Sequence, residues 1–291
     1  MLNKLKFLLK DLLNSNSNNI ELLARIHLNN LLLLDPSKVT KFNIEFNGFS
    51  QGGEDGVILF LCHLLKLKNV VEVGTENWRQ SNLRLATRIF HLNVGLIDGD
   101  KKNMDYVMSD KISYLEHVST LASWVNRDNI SSLLNSLRDK MNVDDFDLIS
   151  LDIDGVDYYV FENINDRPKV FVVEYNSIFG AINCCTVPYD QNFYRYNFHE
   201  SGTVYGCSYN LWIKAMERKG YKLFLTNSTG NNLFFLRNDI FDIINNYKIA
   251  ELSEFEYMAY RESLDKNGKR LLESSGEIKK YLRDVELAIY E

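Results

Sequence analysis

Acidic residues in this chain stand at the ends of short apolar bursts, where side chains of that type could do chemistry. The first is Glu72-Val73-Gly74-Thr75-Glu76. Gly74 allows a tight turn and close approach of the backbone to a ligand. A dinucleotide site would ask for G-x-G-x-x-G, but Thr75, Glu76, Asn77, Trp78 and Arg79 follow Gly74. The pyrophosphate cradle is missing, and Glu72 and Glu76 would repel phosphate. The second burst ends at Asp98-Gly99-Asp100, where a carboxylate can accept hydrogen bonds from ribose hydroxyls. An acidic first turn with one glycine, followed by an acidic second end, suits S-adenosylmethionine, a cationic cofactor with free ribose hydroxyls and no phosphate. Glu72, Gly74, Thr75, Asp98 and Gly99 are the cofactor candidates.

Two further ends carry oxygen ligands. Asp152-Ile-Asp154-Gly155 closes one burst and Glu174-Tyr-Asn176 the next. Side chains alternate along extended chain, so Asp152 and Asp154 share a face, as do Glu174 and Asn176. Oxygen-rich sites without sulfur suit Mg²⁺, Mn²⁺ or Ca²⁺. Capping of the following helix by the aspartates, or contact with a cofactor ammonium, stays open beside metal ligation. An ion there would act as Lewis acid towards an acceptor hydroxyl, which places Asp152 in catalysis. The candidate general base is His199, in the aromatic and polar run from Pro188 to Gly206. That run follows the fifth burst directly and could overhang the acceptor. A loop-stabilising hydrogen bond is the alternative role for His199.

The elements that must position these residues alternate. Apolar bursts at 69–74, 94–98, 146–152 and 169–174 are separated by helical patterns at 81–90, 101–109, 129–140 and 157–162. Fully apolar strands alternating with helices predict an α/β fold with a mostly parallel sheet covered on both faces. A helix over 208–219 and strands over 221–226 and 232–236 close the pattern with an antiparallel hairpin through Asn227–Gly230. Three segments follow: a helical extension over 1–40, a catalytic domain over 41–238 and a charged, helical extension over 239–291. In the first, the polar run Asn14–Asn19 separates two apolar patterns, so residues 1–34 read as a helical hairpin.

Composition narrows the class. The 291 residues are 45% apolar and 25% charged, as in a globular protein. With 33 basic and 39 acidic side chains the formal charge is −6, which argues against a nucleic-acid partner. No apolar run approaches a membrane span. The amphipathic start, with Leu2, Leu5, Leu9 and Leu12, reads as a helix packing on its own protein or on a second copy in a homodimer. Cys62, Cys184, Cys185 and Cys207 form no C-x-x-C pair, and with no export signal they read as reduced cytoplasmic thiols.

The chain resembles the class I S-adenosylmethionine-dependent methyltransferases. More narrowly it is similar to the FkbM-type sugar O-methyltransferases found with bacterial capsule and lipopolysaccharide genes. The residues that carry this are Ser50-Gln51-Gly-Gly-Glu54-Asp55-Gly56, Val71-Glu72-Val-Gly74, Gly95-Leu-Ile-Asp98-Gly-Asp100 and Leu151-Asp152-Ile-Asp154-Gly155, within roughly residues 48–237. The resemblance implies a Rossmann-like, seven-stranded class I methyltransferase fold, with Glu72, Gly74 and Asp98 lining the cofactor site and Gln51 and Asp55 near it. One departure is Asn77-Trp78, where many members have a second glycine. Catechol-type O-methyltransferases are similar in another respect: they hold a divalent ion with an acid after strand four and an acid–Asn pair after strand five, which points again to Asp152, Asp154, Glu174 and Asn176. The function expected is methylation of a sugar or sugar-nucleotide hydroxyl. The alternatives are a metal-independent methyltransferase with His199 as base, a nicotinamide-dependent oxidoreductase, and a non-catalytic assembly partner.

Overall fold

The computed structural model describes residues 2–109, 117–180, 182–244, 247 and 260–290. Seven strands make the main sheet: β1 (Asn69–Val73), β2 (Asn93–Asp98), β3 (Val118–Ala122), β4 (Leu148–Leu151), β5 (Val170–Glu174), β7 (Tyr221–Thr226) and β8 (Asn232–Arg237). A two-residue strand, β6 (Cys185–Thr186), lies apart from it. The order across the sheet is β3-β2-β1-β4-β5-β8-β7. The first five strands run parallel, and β8 is antiparallel to both β5 and β7. This is the mostly parallel, Rossmann-like sheet with an antiparallel hairpin that the sequence predicts.

Strand alternation explains why the bursts are apolar throughout. Val71 and Val73 of β1, with Phe171 and Val173 of β5, face a layer that includes Leu134, Leu137, Phe161 and Trp212. Val70, Val170 and Val172 face the opposite layer, with Val57, Phe60, Leu85 and Ile89. β1, β4 and β5 therefore bury both of their faces, while the edge strand β3 is only partly covered. From β1 the chain steps outward through β2 to β3, then returns to β4 on the other side of β1. Crossovers leaving in opposite directions open a crevice at the carboxyl ends of β1 and β4, where such sheets bind ligands.

The two extensions differ from expectation. Residues Leu2–Leu32 form one continuous helix, not a hairpin. The Asn14–Asn19 run contains neither Pro nor Gly, and each Asn or Ser disfavours helix by only a fraction of a kcal/mol. Ala24 and Leu31 of this helix join the core, and Glu21 pairs with Arg88. The stripe Leu2, Leu5, Leu9 and Leu12 falls outside the described side chains. The tail is not simply helical. After a helix over Asn238–Ile244 come a hairpin of β9 (Tyr260–Leu264) and β10 (Arg270–Ser274), short helical turns, and β11 (Ala288–Ile289), which pairs with β6. The hairpin turn is built by Asp265, which accepts from Asn267 N and Lys269 N, and by Gly268 at φ +75°. Asn-Gly at a hairpin turn is the signal that the charge pattern hides. Among the described residues no helix is long and apolar enough to cross a membrane.

Candidate functional site

A cavity of about 290 Å³ opens beyond the carboxyl ends of β1, β4 and β5. Six carboxylates line it (Glu54, Glu72, Glu76, Asp152, Asp154 and Glu174) against the single cation Arg195. The rest of the wall is mainly carboxamide, from Gln51, Gln80, Asn82, Asn231 and Asn232.

The floor is built where β1 and β4 end side by side. Asp152 N donates to Val73 O at 3.0 Å, and Gly74 N to Ile97 O at 2.9 Å. Gly74 has φ +89°, and a Cβ there would lie 1.6 Å from Asp152 O. Only glycine lets the strand ends come this close. Glu72 accepts from Ser81 Oγ and, at 2.9 Å, from Asn82 N. Burial outweighs those donors and pushes its carboxyl up to about 7.

The acidic centre comes from β4 and β5. Asp152, Asp154 and Glu174 bring one oxygen each to within 4.8 Å of one another. Burial, then the Glu174, Asp154 and Asp157 charges, raise the Asp152 carboxyl well above its ordinary value. Neither aspartate caps the next helix. Asp157 instead folds the turn, accepting from Ile153 N at 2.8 Å and Gly155 N at 2.9 Å. That turn leaves Asp154 at φ +54°. Asp154 pairs with Arg195 at 2.8 Å, and Tyr205 donates its hydroxyl to Glu174 at 3.0 Å. Opposite Glu174 in the β5–β8 register stands Asn232. Its amide nitrogen donates to Glu54 at 2.8 Å, while its Oδ1 is buried with no hydrogen-bond partner.

Several expected residues fall elsewhere. Asn176 is not part of the acidic centre. β5 ends at Glu174, and Asn176 Oδ1 caps a 3₁₀ turn over Ser177–Phe179. Its amide donates to Thr203 O at 2.8 Å and Tyr205 O at 2.9 Å, so it fastens the loop rather than facing the cavity. Asp55 is buried away from the cavity and folds the preceding loop, accepting from Gly48, Phe49 and Ser50 N at 2.6–2.9 Å. Its neighbour Glu54 lines the wall in its place. Asp98 does not line this cavity. Its oxygens accept from Glu76 N and Asp100 N, each at 2.8 Å, and from Asn103 at 2.9 Å. Gly99 is exposed beside Trp124, whose ring a Cβ would meet at 2.8 Å. Gln51 and Thr75 do line the wall.

His199 does not reach the cavity either. Its Nδ1 meets Ser201 Oγ at 2.7 Å and accepts from Ser201 N at 3.2 Å. Its ring packs on Tyr281, 4.8 Å between centroids. The loop presents Arg195 and Tyr205 to the cavity instead. Glu54, Gln80, Asn82, Arg195, Tyr205, Asn231 and Asn232 were not anticipated, and Glu76 only as an acid of the first turn that repels phosphate. Asn231 and Asn232 could have been, because an antiparallel strand starts at the edge where its parallel neighbours end.

No family model matches the chain, and no curated protein matches it. Solved structures do. A Podospora anserina methyltransferase bound to S-adenosylhomocysteine aligns over 76% of this chain and 87% of its own, with 12% identity and a TM-score of 0.43. A Bacillus cereus O-methyltransferase, also bound to S-adenosylhomocysteine, aligns over 77% and 91%, with 13% identity and a TM-score of 0.40. At that similarity the site has to stand on its own residues.

Proposed function

We propose that this chain is an S-adenosylmethionine-dependent O-methyltransferase assisted by a divalent cation. Its acceptor is a sugar or sugar-nucleotide hydroxyl of a bacterial surface polysaccharide. One observation carries the reading: a crevice at the β1/β4 switch point lined by six carboxylates and one cation. Such a wall attracts a cationic ligand and repels the phosphates of a dinucleotide. The unpartnered Asn232 Oδ1 adds a buried acceptor that a donor on a ligand would satisfy. The sugar acceptor is supported by the sequence motifs alone, and the aromatic loop carrying Tyr205 fits an acceptor cover.

Bound beside Glu72, Gly74 and Thr75, the cofactor would supply a methyl group on a sulfonium. An Mg²⁺ or Mn²⁺ ion held by Asp152, Asp154 and Glu174 would supply Lewis acidity towards the acceptor hydroxyl. The chain does the rest by position. Gly74 brings the first turn against Asp152, so the methyl-donor side and the acidic centre share one floor. Tyr205 orients Glu174 through its hydroxyl, and Trp212 Nε1 donates to the Glu174 carbonyl at 2.8 Å, fixing the end of β5. Asn176 fastens Thr203 and Tyr205, which keeps the cover in register. Holding the acceptor against the bound cofactor in this way would supply much of the rate.

Calorimetric titration with S-adenosylhomocysteine, NAD and Mn²⁺, each alone, tests the reading. Heat with S-adenosylhomocysteine and Mn²⁺ but not NAD is expected. Binding of NAD alone would move the chain to the oxidoreductases.

A further inference from the structure

Three carboxylates packed together need a counter-charge, and the chain supplies one from outside the sheet. Arg195 opens a four-residue helix, Arg195–Phe198, within the loop that follows β5. Its Nη1 lies 2.8 Å from Asp154 Oδ1, and its Nη2 donates to the Tyr196 hydroxyl at 3.2 Å. The guanidinium also rests against the Tyr196 and Tyr205 rings, at 5.1 and 5.2 Å from their centres. It is the only cation among the cavity-lining residues.

We infer that Arg195 is a built-in counter-cation, which a divalent ion displaces from Asp154, so that filling the acidic centre releases the loop. The inference rests on the metal reading above. A guanidinium does not lose its proton in a protein, so its charge leaves only if the side chain moves. The pair it makes is partly open to solvent, with side-chain exposures of 25% and 46%. Pairs of that kind are weak. A divalent ion and a guanidinium at short range in a partly buried cavity repel each other more strongly than such a pair holds. The buried Asn232 Oδ1, with no partner on the cavity wall, independently marks a place for a ligand of positive or donor character.

Asp154 is the carboxylate best placed to change hands. Its backbone is held at φ +54° by the Asp157 bonds to Ile153 and Gly155, not by Arg195, so losing the arginine leaves its turn intact. The other end of the loop stays fixed through Asn176, so release is confined to the part around Arg195. By reciprocity, the Arg195–Asp154 pair weakens ion binding by the same factor by which the ion weakens the pair. Arg195 thus sets the ion affinity of a centre it does not itself ligate.

The test is Mn²⁺ titration of the full chain, read as loss of the free-ion paramagnetic signal, with amide exchange over residues 194–199 measured alongside. Arg195→Gln is expected to bind Mn²⁺ about tenfold more tightly than the unaltered chain. Arg195→Lys should stay near the unaltered value, and Asp152→Asn should lose binding. In the unaltered protein Mn²⁺ should speed exchange at 194–199, a measurement that needs no variant to fold. Equal or weaker binding by Arg195→Gln, or exchange unmoved by Mn²⁺, overturns the displacement while leaving the metal centre standing. Failure of the unaltered chain to bind Mn²⁺ removes both.

Discussion

Gly74→Ala should be among the most damaging single-methyl additions in the protein, through a movement that can be worked out. The new Cβ would lie 1.6 Å from the Asp152 carbonyl oxygen, and real Cβ contacts essentially never fall below 3.0 Å. Asp152 must therefore retreat by 3.0 − 1.6, about 1.4 Å. Because the clash is with backbone, no side-chain rotation relieves it. The retreat strains the Val73–Asp152 bond that closes the β1–β4 ladder, worth about 1 kcal/mol. Holding alanine at φ +89° adds about 1–2 kcal/mol. With some repacking beneath, the loss is about 3–4 kcal/mol, or roughly 10 °C in melting temperature for a chain of this size. Gly206→Ala is the control. It too sits at positive φ, +71°, but has nothing within 4 Å of the new methyl, so only the torsional part of about 1–2 kcal/mol applies. Calorimetry on both variants, followed by Mn²⁺ titration, separates strain from displacement. Gly74→Ala should melt well below Gly206→Ala and bind Mn²⁺ more weakly, since Asp152 has left its partners. Equal melting with intact Mn²⁺ affinity would refute the close-approach reasoning.

Other outcomes follow from the same geometry. Burial lifts Glu72 from 4.5 to about 7, so the folded chain keeps a proton that the unfolded chain has lost between those values. Its contribution is present below pH 4.5 and lost as pH rises through about 7, amounting to about 3 kcal/mol. Urea denaturation of Glu72→Gln at pH 5 and pH 8 should show a flatter pH dependence, and an unchanged slope would deny the burial effect. Asn176→Ala should lower stability by about 2–3 kcal/mol through two lost bonds to the loop while Mn²⁺ affinity holds; affinity lost at unchanged stability would make Asn176 a ligand. His199→Gln should leave methyl transfer within about twofold, since the ring packs on Tyr281 outside the cavity, and a hundredfold fall would restore it as base.

What was legible follows from how far each residue's position depends on local geometry. The central strands were readable because both faces are covered, which leaves uninterrupted apolar runs with polar ends; β3, at the sheet edge and only half-buried, left no such run and was not among the bursts read. Parallel neighbours then place Asp152 beside Glu174. Asn176 was misplaced because alternation was carried past the last strand residue, where the chain turns into a 3₁₀ helix. Asp154 was expected beside Asp152 from extended geometry. Its carboxylate comes within 4.8 Å of Asp152 through a left-handed turn, not through extended chain. Glu54 and Asp55 open one helix and point about 100° apart. Only one can face the cavity, and the motif alone does not say which. Arg195, Tyr205 and His199 sit on a loop whose path is set by distant partners, chiefly the Asn176 bonds and the packing of Tyr281. No local pattern reports such contacts.

The distribution of donors shows where the crevice wants positive charge. Glu54 is met by Gly52 N, Asn227 and Asn232. Glu72 is met by Ser81 and Asn82, and Asp154 by Arg195. Asp152 is met by Glu174, another acid, and the unpartnered Asn232 Oδ1 stands across from Glu174 in the register of β5 and β8. Replacing such a centre by packed apolar side chains would stabilise a fold that had no use for it. The local excess of acceptors therefore lies at the ends of β4, β5 and β8, joined by Glu76 of the first turn, whose carboxyl is raised by burial and by the Asp154 and Asp98 charges. A ligand that binds the whole crevice must bring its strongest positive charge to that one place, and S-adenosylmethionine alone, lying against the first turn at Glu72 and Gly74, would leave it unmatched. On the proposed reading, the acidic centre would take a second cation beyond the cofactor, with Arg195 holding its place.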